Sequence, residues 1–520
     1  MRWAQPTQDR NQLVLFSTKL DDVIPDDHVV RILDRLLDQL DWQVMEATYH
    51  GRLGQPPIHP RILCGVILYG LMCRIRASRK LEEALNVRVD FLWLAHGMSI
   101  DHTTLSEFRR KHPDQLRELF AQVVLVGREM GVVQFKRIGF DGTRVRSNNR
   151  KSGTRTPEEL RKAKRELQEQ FDRLNEKADA EDAEDEEVLS ALGDQDETLS
   201  DDQRREQLEQ MQQKVDAALS ELQRIEQSEE TIPSRLPITD PESRFSKTKE
   251  GGFAPSYTPI ATVDIDSGVI VDQDVIAQNN ESSHLMAAVK QVQETYDLAA
   301  PVGEVLADGL MATGENLSAC EEVGVDLYSP VPGAHQGDNP AKREDLSQPV
   351  AADQIEQLPM QTVKKQKRFD KQAFIYDAEQ DVYWCPSGKQ LTHSSHYTTT
   401  SSGKELTRDR YRADAKDCAL CPLSAHCLRN TSKFRQIDRG EHEDAIDRQM
   451  AKMQRPDSVK KYSQRRHAGE RPFAVIKQVF GGRQFLTRGL ARVRQEWCWL
   501  SLAFNLKQLI GSLDRGKQPP

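Results

Sequence analysis

The chain has no long apolar run. Its most hydrophobic stretch, Ile62 to Cys73, is bounded by Arg61 and Arg74 and falls short of the roughly 20 residues that a membrane-crossing helix requires. A secretory leader is not expected either. Cysteine is scarce, eight in 520 residues with four of them scattered singly, so a disulfide framework is not expected. Apolar residues make up only 37% of the chain while charged residues reach 29%. That balance suits a soluble protein with some polar, extended segments. The expectation is a cytoplasmic protein with no membrane partner, and 520 residues are too many for one core, so about three domains are anticipated.

The formal net charge of −9 argues at first sight against a polyanionic partner. The charge is unevenly placed, however. Glu176 to Asp202 holds 13 acidic residues and one Lys, a net of −12, so the rest of the chain carries −9 + 12 = +3. Near the C-terminal end the sign reverses. Lys461, Arg465, Arg466, Arg471, Lys477, Arg483, Arg488, Arg492 and Arg494 face a single acid, Glu470, over the same span. A patch of that kind attracts nucleic acid whatever the whole-chain balance.

Residues 1–130 read as helices. Pro25-Asp26-Asp27 opens one run, and His59-Pro60 opens another from Arg61 to Arg74. Ser78 is placed as the cap of a short helix, and Thr104-Leu105-Ser106-Glu107 has capping-box spacing ahead of Phe108-Arg109-Arg110-Lys111. Short helices in tight succession, the last one basic, suit a helix-turn-helix-like DNA reader with Arg109 on its basic face; an ordinary helical bundle fits the pattern as well. Arg137 to Val145 is a strand carrying Asp141. Two helical segments within 155–230, one with Leu160, Ala163, Leu167, Phe171 and Leu174, the other with Leu208, Met211, Val215, Ala218, Leu222 and Ile225, keep coiled-coil spacing and read as an inserted hairpin with an acidic tip. Sheet signals resume at Pro259–Asp264 and Gly268–Val271, followed by a helix from Glu281 to Tyr296, a strand ending at Asp308, a helix opening at Thr313 and a strand from Val325 to Pro330. This is α/β, a mixed sheet with flanking helices.

From 333 to 456 periodicity is lost. The stretch contains Lys364-Lys365-Gln366-Lys367-Arg368, then Cys385, Cys418, Cys421 and Cys427. A C-x-x-C knuckle beside two further thiols matches tetrahedral zinc chemistry, although 32 residues separate the first two cysteines; His426 is an alternative ligand. A group of reduced cysteines is the competing reading. Beyond this stretch, Tyr462, Arg466, Glu470 and Lys477 fall within roughly 80° on one face of a continuous helix. A solvated face with an Arg–Glu pair explains that spacing too. The two upstream aspartates, each at the end of a strand-like apolar run, point instead to three carboxylates gathered from two strand ends and a helix. Pro472, just after Glu470, threatens the helix.

With these motifs in view, the chain resembles the DDE transposases of bacterial insertion sequences. The resemblance rests on His59-Pro60-Arg61, Ser78-Arg79-Lys80-Leu81-Glu82, Asp101-His102-Thr103-Thr104, Phe140-Asp141-Gly142-Thr143, Ala307-Asp308-Gly309-Leu310, the series Tyr462, Arg466, Glu470, Lys477, and Phe485-Leu486-Thr487-Arg488-Gly489. The Tyr–Arg gap is one residue longer than the family's, which leaves Arg465 as an alternative to Arg466. The resemblance implies an N-terminal helical DNA-binding domain (1–130) and a ribonuclease-H-like core in two parts (131–332 and 457–520), separated by the Cys-rich insertion at 333–456. It implies Asp141, Asp308 and Glu470 as the catalytic triad holding two Mg²⁺ about 3.5–4 Å apart, with Tyr462, Arg466, Lys477, Arg483 and Arg488 along the DNA. Its partners would be double-stranded DNA, both element ends and target, bound by a homo-dimer. A stand-alone nuclease, a non-enzymatic DNA-binding relative and a coiled-coil scaffold with a zinc module are the other readings.

Overall fold

In the computed structural model, residues 19–516 are described apart from 50–55, 150–152, 185–200, 229, 231, 248–251, 364–365, 402–403 and 430. The N-terminal region is helical, with α1 (Val29–Asp38), α2 (Pro60–Met72), α3 (Ser78–Val87), α4 (His102–Lys111) and α5 (Pro113–Glu129) as its longer elements. The His59 ring accepts from the Arg61 N–H, and Pro60 sits in the first turn of α2, where a missing N–H costs nothing. Two expected starts move. Asp101 caps α4, its carboxylate accepting from the Thr104 N–H at 2.8 Å, because a carboxylate is favoured at the positive end of the helix dipole. Ser78 is the first residue inside α3, and Ala77 precedes it without a side-chain cap.

The central sheet is built from β1 (Arg137–Gly142), β2 (Phe253–Asp264), β3 (Ile270–Ile276), β4 (Glu304–Ala307) and β5 (Asp326–Tyr328). β2 lies between β3 and β1, and β4 lies between β1 and β5; short strands at Val145–Arg146 and Arg244–Lys247 also pair with β2. β1, β2 and β3 form an antiparallel meander, whereas β4 runs parallel to both β1 and β5. The parallel connections pass through α6 (Leu285–Thr295) and α7 (Gly314–Glu322). Thr313 caps the latter by accepting from the Asn316 N–H at 3.2 Å. The fold is mixed α/β, with helices across the N-terminal region.

One helix joins these parts. α8 (Leu490–Gly516) buries Trp497, Leu502, Phe504 and Leu509, and it packs on β3, α2 and α5. Asn505, buried among these apolar residues, accepts from the Ile270 N–H at 2.9 Å and donates to the Ile270 carbonyl at 2.7 Å. A continuous hydrophobic cluster therefore runs from Ile24 to Ile510, and the N-terminal helices share a core with the sheet.

The two inserted helices span Pro157–Glu184 and Asp201–Glu226. Ion pairs Arg161–Glu226 (2.9 Å) and Lys164–Asp216 (2.8 Å) set the start of one against the end of the other, an antiparallel pair. Leu160, Leu167, Val215, Ala218, Leu222 and Ile225 are buried, but Met211 is 45% exposed, so packing fades away from the sheet. Residues 185–200 of the acidic stretch, and Lys364 and Lys365, lie outside the described residues.

The stretch from 333 to 456 is more regular than its sequence suggests. A five-stranded antiparallel sheet runs through β6 (Ile375–Asp377), β7 (Val382–Trp384), β8 (Gln390–Ser401), β9 (Lys404–Ala413) and β10 (Gln436–Gly440), over its own cluster of Phe369, Phe374, Tyr383, Leu391, Tyr411 and Ile437. Thr, Ser and His occupy most of β8, so no apolar alternation announced it. Among the described residues no helix is long and apolar enough to cross a membrane.

Candidate active site

Asp141 and Asp308 meet at the edge of the sheet. Phe140 pairs with Ala307 in the parallel register of β1 and β4, so the two aspartates occupy the next step on neighbouring strands at their carboxyl ends. Ligands collect at such ends, where the polar loops leave the sheet. Asp308 turns its chain at once: its carboxylate accepts from the Leu310 N–H at 2.7 Å and its carbonyl accepts from Ser329 Oγ. Gly309 is needed there, since a Cβ would stand 2.9 Å from the Pro330 carbonyl oxygen.

Asp141 is mostly enclosed, its side chain 17% exposed. Burial pushes its carboxyl up to about 6, against the opposing effects of Arg465 and the Gly142 N–H, and Asp308 and Glu281 add repulsion. Glu281 is a carboxylate that sequence reasoning passed over as the start of a helix. It is buried and lies so close to β1 that a Cβ on Gly142 would be 3.0 Å from its Oε1. Arg144 faces it at 3.4 Å. Its only signal in the sequence is an acid at a helix start, which is commonplace.

The helix expected to carry four residues on one stripe is broken twice. Separate helices span Pro456–Ser463, α9, and Arg465–Ala474, α10, and a π-turn follows at Val475–Val479. Pro472 inside α10 withholds one backbone donor, and wider π-type bonding takes over just beyond it, as often at functional sites. The 100° rule therefore does not carry across Gln464 or past Ala474. The face of α10 toward Asp141 holds Arg465 and Gly469: the Arg465 guanidinium is 3.1 Å from Asp141 Oδ2, and Gly469 lies against the same carboxylate. Arg465 Nη1 has no properly angled hydrogen-bond partner, so this contact is a charge pairing. Tyr462 and Asp308 also act on the Arg465 guanidinium. Arg465, the alternative to Arg466, is thus the arginine that reaches the site; Arg466 and Glu470 are exposed.

Lys477 Nζ donates to Thr143 Oγ1 and to the Arg144 carbonyl, the latter at 2.8 Å, just past the end of β1. The loop after it docks on the same strand extension, with the Phe485 N–H on the Arg146 carbonyl at 2.9 Å. Arg488 Nε donates to the Asn148 carbonyl at 2.8 Å, and Arg483 is exposed and bonded to Gln478. Arg109 is elsewhere. It is half-buried and donates to the Arg76 carbonyl at 2.5 Å beside Glu496, and burial lowers its pKa to about 10.

The expected metal ligands are only partly gathered. Among the described residues, no group of three or more His, Cys, Asp or Glu is arranged to hold a metal ion. Glu470 is one residue round the helix from Gly469 and is exposed, while Arg465 is the residue of this helix paired with Asp141.

Two family models match the chain. The Transposase domain (DUF772) covers residues 18–111 and the Transposase DDE domain covers residues 384–510. Both matched segments are transposase domains, and together they support the resemblance to the insertion-sequence DDE transposases. The second match takes in the four Cys-rich-stretch cysteines, Arg465, Glu470, Lys477 and the arginine-rich loop, while Asp141 and Asp308 lie outside both matches. No curated protein matches the chain.

Proposed function

We propose that the transposase cuts DNA at the ends of its element and joins those ends to target DNA, with Asp141 and Asp308 as the centre of the reaction. One observation carries this reading: two aspartates share adjoining ends of parallel strands, and a matched-domain helix sets Arg465 against the first of them. The strand order, an antiparallel meander extended by two parallel strands, supports a ribonuclease-H-like core.

The residues fit Mg²⁺. Asp308 and Glu281 both act electrostatically on Asp141, whose carboxylate the Arg465 guanidinium faces, and oxygen donors of this kind suit a hard cation. Asp141 and Asp308 would hold it, with Glu470 turned inward as the third ligand. Bound there, a pair of such ions supplies activation of the attacking hydroxyl and stabilisation of the leaving oxygen. The chain's own residues do the positioning. Lys477, fixed to the end of β1, and Arg465 present positive charge to phosphates beside the cut, and Arg483 and Arg488 extend that charge along the strand without reading sequence. Two copies, one on each element end, would make the joined product.

Purified transposase incubated with its flanking DNA and Mg²⁺ tests this, with cut and joined products separated on a gel. Asp141→Asn, Asp308→Asn and Glu470→Gln are each expected to lose both products while end binding persists. Cutting without joining would make the chain a nuclease. Activity retained by Glu470→Gln but lost by Glu281→Gln would move the third carboxylate to Glu281.

A further inference from the structure

Four thiols left out of the chemistry above converge on one cavity of the second sheet. Cys385 follows β7, Cys418 lies in the short helix Ala415–Ala419, Cys421 is in the turn after it, and Cys427 ends the helix Ser424–Cys427. All four line the same cavity with Leu391, Leu423 and Arg435, although 32 residues separate the first from the second. Each of the other three acts electrostatically on Cys427. His426 does not line it; its ring packs on Phe369 at 5.9 Å.

Donors and a cation stand around the sulfurs, although burial pushes the Cys385, Cys418 and Cys427 thiols up. The chain after Cys385 folds into a tight turn, with the Gly388 N–H on the Cys385 carbonyl at 2.9 Å and the Lys389 N–H directed at Cys385 Sγ at 3.3 Å. Gly388 has φ +73, and a Cβ would lie 2.2 Å from the Ser347 carbonyl oxygen, so only glycine permits this turn. The backbone N–H of Arg435 also acts on Cys418, and Ser387 Oγ is 3.1 Å from Cys421 Sγ. The Arg435 side chain is close enough to Cys427 to act on it, and its Nε lacks a partner; a nearby cation offsets the excess charge of a four-thiolate site.

We propose that Cys385, Cys418, Cys421 and Cys427 form a structural zinc site that ties the 385 turn to the 418–427 helices. Zinc takes four thiolates in a closed tetrahedron at about 2.3 Å. The sulfurs are not gathered around one point as they stand, and rotation of the thiols into their shared cavity closes the set. The ion then cross-links a sheet whose buried cluster is small, which is where a metal adds most to stability.

Metal analysis of the purified full-length chain tests the site independently of DNA cleavage. About one equivalent of zinc per chain is expected, released as a mercurial titrates the thiols. Cys418→Ser and Cys421→Ser should lose it, while Cys73→Ser and Asp141→Asn keep it. Loss of zinc in a serine variant can also follow from misfolding, so Co²⁺ replacement in the unaltered chain supplies a second readout, the intense visible bands of a tetrahedral thiolate complex. A chain produced with ample zinc that carries well under a tenth of an equivalent and gives no such cobalt bands would overturn the proposal. So would zinc retained in full by the Cys418→Ser and Cys421→Ser variants.

Discussion

Replacing Asp141 by Asn should make the metal-free transposase more stable while removing its activity. In the folded chain the Asp141 carboxyl titrates at about 6 instead of 3.8, chiefly through burial. Raising a pKa by that amount corresponds to ~3 kcal/mol of cost for carrying the charge. The sign follows from proton counts. Between about pH 4 and pH 6 the native state holds a proton that the unfolded state has released, so native stability falls as pH rises through that window and stays low above it. Asn resembles the protonated carboxyl and escapes the cost, but it leaves the Arg465 guanidinium without its partner. A net gain of about 1–3 kcal/mol near pH 8 is therefore expected, shrinking toward zero near pH 4. Chemical denaturation of both proteins at the two pH values, without divalent ions, measures it. Added Mg²⁺ should stabilise the unaltered chain and leave Asp141→Asn unmoved. An Asn variant no more stable than the original near pH 8 would refute the reasoning, because it would mean that the buried charge is already compensated.

Other consequences can be measured alongside. Gly309→Ala forces a Cβ to within 2.9 Å of the Pro330 carbonyl and should destabilise by about 1–3 kcal/mol, lowering the unfolding midpoint and weakening Mg²⁺ stabilisation through a displaced Asp308. Asn505→Ala strands both backbone groups of Ile270 inside the core, at a cost of about 1–3 kcal/mol for each unsatisfied group, visible as faster hydrogen exchange in β3. Arg465→Gln removes the cation beside Asp141 and should shift the pH dependence of Mg²⁺ binding upward; Arg466→Gln, on the exposed side, should leave that profile alone and weaken DNA binding at most a few-fold.

The sheet was legible because its strands are apolar runs of ordinary length, and because Asp141 and Asp308 each end one. Their adjacency followed from parallel pairing, which periodicity does not reveal. Long polar strands such as β8 gave no alternation to read, so the second sheet was invisible. The face of α10 was misjudged because Gln464 and the π-turn after Pro472 break the even rotation assumed for a single helix. Arg109 read as an exposed base, yet its neighbours Arg76 and Glu496 come from distant sequence, and only the packing of α8 on the N-terminal helices brings Glu496 to it. Glu281 escaped notice since nothing local distinguishes a helix-start acid from one pressed against Gly142.

The proposed reaction requires a divalent cation seated between Asp141 and Asp308. Crystals of the transposase soaked in Mn²⁺, with data collected to reveal anomalous scattering, locate it directly. A peak within about 2.5 Å of carboxylate oxygens of both residues is the predicted result. Peaks confined to other sites, with Arg465 still paired to Asp141 at saturating Mn²⁺, would contradict it.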